Sequence, residues 1–129
     1  MPAKHVETRL KRELVIWIAT AGRDGHPHVV PVWFWWDGNF ILIYAVPGQK
    51  VRDIEANPNV ALNLNTDPVG EDVVRIDVTA KIDRKQPPAY RVPNYVRKYR
   101  AQIQGFDWTP KVFSEQYNVP ILVKPTRYH

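Results

Sequence analysis

Four large aromatics, Trp33, Phe34, Trp35 and Trp36, stand side by side within the stretch VPVWFWWDGNFILIYAVPGQK, residues 30–50. Successive side chains of a strand point to opposite faces, so Trp33 and Trp35 face one way while Phe34 and Trp36 face the other. A strand with one wet face alternates apolar with polar residues, and this one does not. Both faces therefore need cover. A β-sheet core supplies one cover; helices from the 89–117 region, a second subunit or a planar ligand supply the other. Several aromatics left open together would promote aggregation, which argues for a homodimer.

The punctuation around this run defines its neighbours. Arg23 to Gly25 and Asp37-Gly38 are turn sequences, because Gly and Asp tolerate the positive φ angles of tight hairpins. They delimit three strands, Leu14 to Thr20, His28 to Trp36 and Asn39 to Val46, rich in Val, Ile and aromatics. In QKVRDIEANPN, Val51 and Ile54 lie three apart with Asp53 and Glu55 facing outward, and Asn57-Pro58 stops the segment: a short helix. Val60, Leu62 and Leu64 alternate with small or polar neighbours, and Val74, Ile76, Val78, Ala80 and Ile82 share one face, which predicts two more strands. From Ala89 to Gln104, Val92, Tyr95, Val96, Tyr99 and Ile103 recur at helical spacing among Arg91, Arg97, Lys98 and Arg100, with Pro93 at the start of the regular helix. Thr109-Pro110 opens a second helix, with Phe113 and Tyr117 as an i, i+4 pair, and VPILVKP closes as a strand.

The expected fold is mainly β with helices (α+β): a six-stranded, partly open antiparallel barrel forming one domain over residues 1–129.

The chain has no cysteine, which excludes disulfides, thiolate metal sites and a cysteine nucleophile. The apolar run Leu14 to Ala19 is too short for a signal peptide or a membrane span, so a cytoplasmic location and no membrane partner are expected. The formal charge of +5 concentrates in the KHVETRLKRE arm and between Lys81 and Arg100, and each run reads best as a solvated helix face. His26 and His28 lie two apart without a third ligand nearby, so no metal site is expected. No catalytic triad is present, and the catalytic residues stay unassigned.

Gly48 permits a sharp turn into the helix at 49–56, whose free N–H groups point back at the turn beside Lys50 and Arg52. Helix N-termini with cations bind phosphate or carboxylate. An anion hole beside an aromatic strand suits a ligand with a flat ring at one end and a phosphate at the other.

The segment ATAGRDGHPHVVPVWFWWDGNFILIYAVPGQKVRDIEANPNVALNLN resembles the flavin and deazaflavin split-barrel proteins related to pyridoxamine 5'-phosphate oxidase. The ending YRAQIQGFDWTPKVFSEQYNVPILVKPTRYH is similar to a subgroup of deazaflavin (coenzyme F-420)-dependent oxidoreductases, with a TP helix start and a closing strand ending in PTR. The resemblance implies an FMN-binding split barrel, a homodimer with two cofactor sites at the subunit interface, and a small-molecule substrate. The cofactor ring would lie along Val30, Pro31, Val32 and Trp33 with Tyr44 and Ala45 on the adjacent strand, and its phosphate near Gln49 and Lys50, with Arg52 as a further cation. Flavin-binding oxidases of the family carry an Arg and a Lys on the second strand and a Ser or Thr before the helix lysine. Aliphatic or aromatic residues and Gln49 stand there in this chain, so an FMN phosphate would be held mainly by Lys50 with Arg52, which argues against tight FMN binding. The terminal TRYH is not the vitamin B6 oxidase substrate motif, so pyridoxamine phosphate oxidation is not expected.

The implied activity is hydride transfer between the deazaflavin and a small unsaturated or quinone-like substrate. Alternatives are an FMN-binding oxidoreductase, a cofactor carrier without turnover, and a nucleic-acid-binding β-barrel. The last is disfavoured because the aromatics lie on an apolar strand rather than among basic residues, as a stacking platform requires.

Overall fold

The computed structural model describes residues 2–129. In chain order the elements are α1 (Lys4–Arg12), β1 (Ile16–Ala21), β2 (Pro27–Val32), β3 (Trp35–Trp36), β4 (Ile41–Ala45), α2 (Gln49–Ala56), β5 (Asn59–Leu64), β6 (Arg75–Ile82), a 3-10 turn (Ala89–Arg91), α3 (Pro93–Gly105), α4 (Pro110–Gln116) and β7 (Val119–Tyr128). The two predicted hairpins form, with Gly25 at φ 77° and Gly38 at φ 103° in the turns, where a side chain would be strained. Thr109 caps α4 by accepting from the Val112 N–H at 3.2 Å.

All strands join one antiparallel sheet in the order β2-β1-β5-β6-β7-β4-β3. The two edge strands, β2 and β3, are consecutive in the chain, separated only by Trp33 and Phe34. Three peptide units reach no further than about 11 Å. The sheet must therefore curl until its edges adjoin, leaving a barrel with one seam that no ladder closes.

That seam corrects the predicted count of six strands to seven. The expected single strand from His28 to Trp36 breaks at Trp33 and Phe34, because Phe34 bonds to helix side chains instead of a strand neighbour. Its N–H donates to the Tyr99 hydroxyl at 2.8 Å, and its carbonyl accepts from Lys98 Nζ at 2.9 Å. The Tyr99 hydroxyl lies 2.9 Å from the Phe34 carbonyl and 2.7 Å from the Leu14 carbonyl, with one proton to share between them. Lys98 Nζ also sits 3.7 Å above the Phe34 ring. Burial pushes this amine down to about 8, the Glu13 carboxylate opposing the shift. Lys98 is thus a half-buried seam contact, not the solvated cation its neighbours suggested.

Alternation along the aromatic run sorts its members as expected. Phe34 and Trp36 enter the barrel core with Ile16, Ile18, Ile43 and Leu62. Trp33 and Trp35 pack outside it against a second cluster of Leu42, Tyr44, Tyr95, Tyr99 and Phe113. Helices α3 and α4 therefore cover the second face, one of the alternatives left open by the sequence. Strand β4 lies between the two clusters and is buried along its whole length, which accounts for its unbroken apolar ILIYA. Each fully buried Ile or Leu contributes roughly 1.5–3 kcal/mol, so the barrel core is the main stabilising feature.

Two charged residues depart from expectation. Arg9, in the basic arm read as solvated, is 4% exposed. Its guanidinium bonds to Glu13 and to the carbonyls of Asn65 and Asp72, tying α1 to the β5–β6 connection. Asp53, predicted to face outward from α2, is 1% exposed and points into the end of the barrel.

Candidate functional site

Asp53 fixes α2 in place. Its Oδ2 accepts from Thr20 Oγ1 at 2.8 Å and pairs with His28 Nδ1 at 2.9 Å, while its Oδ1 accepts from Gln49 Nε2 at 2.7 Å. Burial opposes the charge, but the hydrogen bonds from Gln49, Thr20 and His28 outweigh it and hold the carboxyl below its usual range. The carboxylate also approaches the chain closely at Gly22, where a Cβ would lie 2.6 Å from Oδ1. One buried side chain on α2 is thereby clamped to β1 and β2.

The clamp orients the start of α2. Gly48 precedes the helix without a side-chain cap, and the first hydrogen bond back to its carbonyl comes from Arg52 N–H. The N–H groups of Gln49, Lys50 and Val51 consequently have no acceptor within the helix. Lys50 is half-buried, desolvation lowers its amine pKa, and its Nζ has no ion pair or hydrogen bond among the described residues. Such an amine favours an incoming anion.

Lys50 forms one end of a cavity of about 330 Å³. Pro31, Val32 and Trp33 from the β2 end, Tyr44, Ala45 and Val46 from β4 and its exit, and Phe106, Phe113 and Tyr117 from the helical layer supply the rest of its wall. Trp33 is stacked between Tyr99 and Phe113, at 4.5 Å and 5.4 Å between ring centroids, with planes inclined by 4° and 11°. Phe113 in turn stacks on Tyr117 at 4.7 Å. The rings form one continuous stack along this side of the cavity. Tyr44 donates its hydroxyl to the Pro87 carbonyl, and burial pushes its phenol up to about 12.

Six of the nine positions predicted for cofactor binding line this cavity: Pro31, Val32, Trp33, Tyr44, Ala45 and Lys50. Val30, Gln49 and Arg52 do not. Val30 lies exposed on β2, and Gln49 is turned to Asp53 while its Oε1 accepts from Arg52 Nη2 at 3.1 Å. Among the described residues, Lys50 is thus the free cation at this end of the cavity, because Arg52 is drawn to the neighbouring amide.

The sequence did not single out Val46, Phe106, Phe113 or Tyr117 as site residues. The i, i+4 spacing of Phe113 and Tyr117 marked an apolar face but gave no sign of what that face meets. His26 and His28 have ring centroids 5.2 Å apart, and among the described residues no group of three or more His, Asp or Glu is placed to hold a metal. No described helix is long and apolar enough to cross a membrane.

Residues 2–120 match the family model described as pyridoxamine 5'-phosphate oxidase. Among solved structures, an F420 reductase is 25% identical, with 100% of this chain and 98% of that one covered at a TM-score of 0.72. A FAD-binding protein from Mesorhizobium loti is 17% identical, with coverage of 99% and 90% and a TM-score of 0.69. An uncharacterized protein of Rhizobium meliloti is 36% identical over 42 residues, a match taking in 33% of this chain and 28% of the relative.

Proposed function

We propose, from the premise that the chain belongs to the pyridoxamine 5'-phosphate oxidase family, that it is a deazaflavin (coenzyme F-420)-dependent oxidoreductase. It would pass a hydride between the bound cofactor and a small organic substrate. The observation that carries this choice is Lys50, a cation without a partner among the described residues, at the α2 end of a cavity otherwise lined by aromatic and aliphatic side chains.

The donor set fits the group's phosphate end. A phosphodiester carries one negative charge, matched by one ammonium and the open N–H groups of α2, whereas a phosphate monoester such as that of FMN carries about two. Trp33, Phe113 and Tyr117 line the cavity with aromatic carbon, an apolar surround for a tricyclic ring. When bound, the deazaflavin supplies two-electron hydride transfer at its ring C5, without the one-electron oxygen chemistry of a flavin. Lys50 and the α2 N-terminus hold the phosphate, Trp33 and its stack orient the ring, and the apolar wall excludes water.

The proposal includes a homodimer in the cytoplasm. Val46 and Phe106, which line the cavity, are 42% and 59% exposed, and Val29 and Val30 leave apolar surface open on β2. A second copy would cover them and complete the site. The absence of cysteine suits a reducing compartment.

The test is anaerobic mixing of the protein and reduced deazaflavin with a neutral quinone. Cofactor oxidation that needs the protein, at a rate that saturates with quinone, supports the proposal. A rate equal to the protein-free reaction, with the cofactor bound, would leave a carrier in its place.

A further inference from the structure

We propose that the aromatic stack beside the cavity is a one-electron relay: an oxidising radical, or a photoexcited ring bound in the cavity, takes an electron from Trp33, and the deficit passes to Trp108 and leaves the protein there. The relay lies within one chain, and the inference does not rest on the hydride-transfer proposal above.

The path is a run of ring contacts. Trp33 lines the cavity. One route reaches Trp108 through Phe106, with centroid separations of 6.4 and 5.6 Å. A second runs through Phe113 and Tyr117, with separations of 5.4, 4.7 and 6.5 Å. Each ring lies one short tunnelling step from the next, and both routes end on the same indole, in the connection between α3 and α4.

The branch into the interior is closed. Trp33 also stacks on Tyr99 at 4.5 Å, and Tyr99 meets Tyr95 at 5.0 Å. A phenol holds an electron deficit only by giving up its proton. The Tyr99 hydroxyl faces two backbone carbonyls, which do not take a proton, and the Lys98 amine beside them donates its own to the Phe34 carbonyl. The Tyr95 hydroxyl has no acceptor among the described residues. Burial holds both phenols above their usual range. An indole carries the deficit as a cation without proton transfer, so the deficit stays on the tryptophans.

Charge sets the direction. Trp33 shares the cavity with the Lys50 ammonium, beside the positive N-terminal end of α2. A cation on Trp33 is repelled by both. Trp108 instead follows Asp107, an exposed carboxylate. Among the described residues the sealed, unpartnered polar side-chain atoms belong to Trp36 and Tyr95, so the unbonded Trp108 indole N–H keeps access to water.

In the balanced sequence the oxidant gains one electron from the Trp33 ring. Trp108 returns one electron to Trp33 through the bridging rings, its indole N–H bond breaks, and the proton passes to water. The neutral indolyl radical then takes one electron from a soluble thiol or ascorbate, and one proton, which restores Trp108. The cavity wall is left unchanged while the oxidant has been reduced.

The probe is the azide radical, a small one-electron oxidant of indoles, generated by radiolysis under nitrous oxide in a solution of the full chain. Peptide mapping then counts intact Trp33, Trp108 and Trp17, the last of which lies outside the stack and donates to Asn65. In the wild type Trp108 should be consumed while Trp33 is spared. Trp108→Phe keeps a ring in place but removes the sink, so loss of Trp33 should rise severalfold with loss of Trp17 unchanged. Phe106→Leu, at a residue 59% exposed, breaks the route of fewer steps and should also raise loss of Trp33, which keeps the test decisive if Trp108→Phe does not fold. Equal loss of Trp33 in the wild type and in the folded variants, whether high or low, would overturn the relay.

Discussion

Removing one oxygen atom from Tyr99 should destabilise the fold, whereas removing the equivalent atom from Tyr95 should not. The two tyrosines are neighbours on α3, both fully buried, with ring centroids 5.0 Å apart. The Tyr99 hydroxyl accepts from Phe34 N–H and donates to one of two carbonyls at the barrel seam. Tyr99→Phe leaves that N–H buried without an acceptor, at a cost of about 1–3 kcal/mol, and loses a donated bond of about 1 kcal/mol. The sum, roughly 2–4 kcal/mol, is a large share of the 5–15 kcal/mol typical of a domain and should lower Tm by about 10 °C. The Tyr95 hydroxyl is buried with no partner among the described residues, so its desolvation is uncompensated. Tyr95→Phe should therefore be neutral or stabilising by about 1 kcal/mol. Urea unfolding of both variants at constant m-value reads the difference directly. Equal losses in the two, or a larger loss in Tyr95→Phe, would refute the assignment of seam closure to the Tyr99 hydroxyl.

Lys50→Ala should weaken deazaflavin binding by about 1.5–3 kcal/mol, roughly ten- to a hundredfold, through loss of a charge-assisted phosphate contact; a fluorescence titration measures it. Gly22→Ala should cost about 1–3 kcal/mol, because its Cβ would meet Asp53 Oδ1 at 2.6 Å and displace the clamp on α2; urea unfolding checks the loss. Lys98 adds a pH dependence. The folded chain releases the Lys98 proton at about 8 and the unfolded chain near 10.5. Between these values the unfolded state binds more protons, so stability from this group rises with pH and is least below pH 8. Comparing unfolding of wild type and Lys98→Met from pH 7 to 10.5 should show a shallower rise in the variant.

Much of the fold was legible because its signals are local. Asp37-Gly38 dictated a hairpin, Thr109-Pro110 started a helix, and the parity of residues 33–36 sorted the aromatics correctly between two faces. What covered the outer face was not legible, since helices, a ligand and a partner present the same apolar demand to Trp33. The break at Phe34 escaped notice for a related reason: its backbone partners, Tyr99 and Lys98, lie more than sixty residues away. Asp53 was misplaced because a carboxylate between apolar residues is ordinarily solvated. Only the convergence of Thr20, His28 and Gln49 makes its burial tolerable. The cavity's β-side came from the family resemblance rather than from spacing, while Phe106 and Tyr117 came from helices whose docking no sequence spacing encodes.

Parallel titration of the purified protein with coenzyme F-420 and with FMN, followed by fluorescence, tests the cofactor assignment most directly. The account predicts tight deazaflavin binding and markedly weaker FMN binding, with the deazaflavin affinity dependent on Lys50. Tighter binding of FMN, or deazaflavin binding that Lys50→Ala leaves untouched, would contradict it.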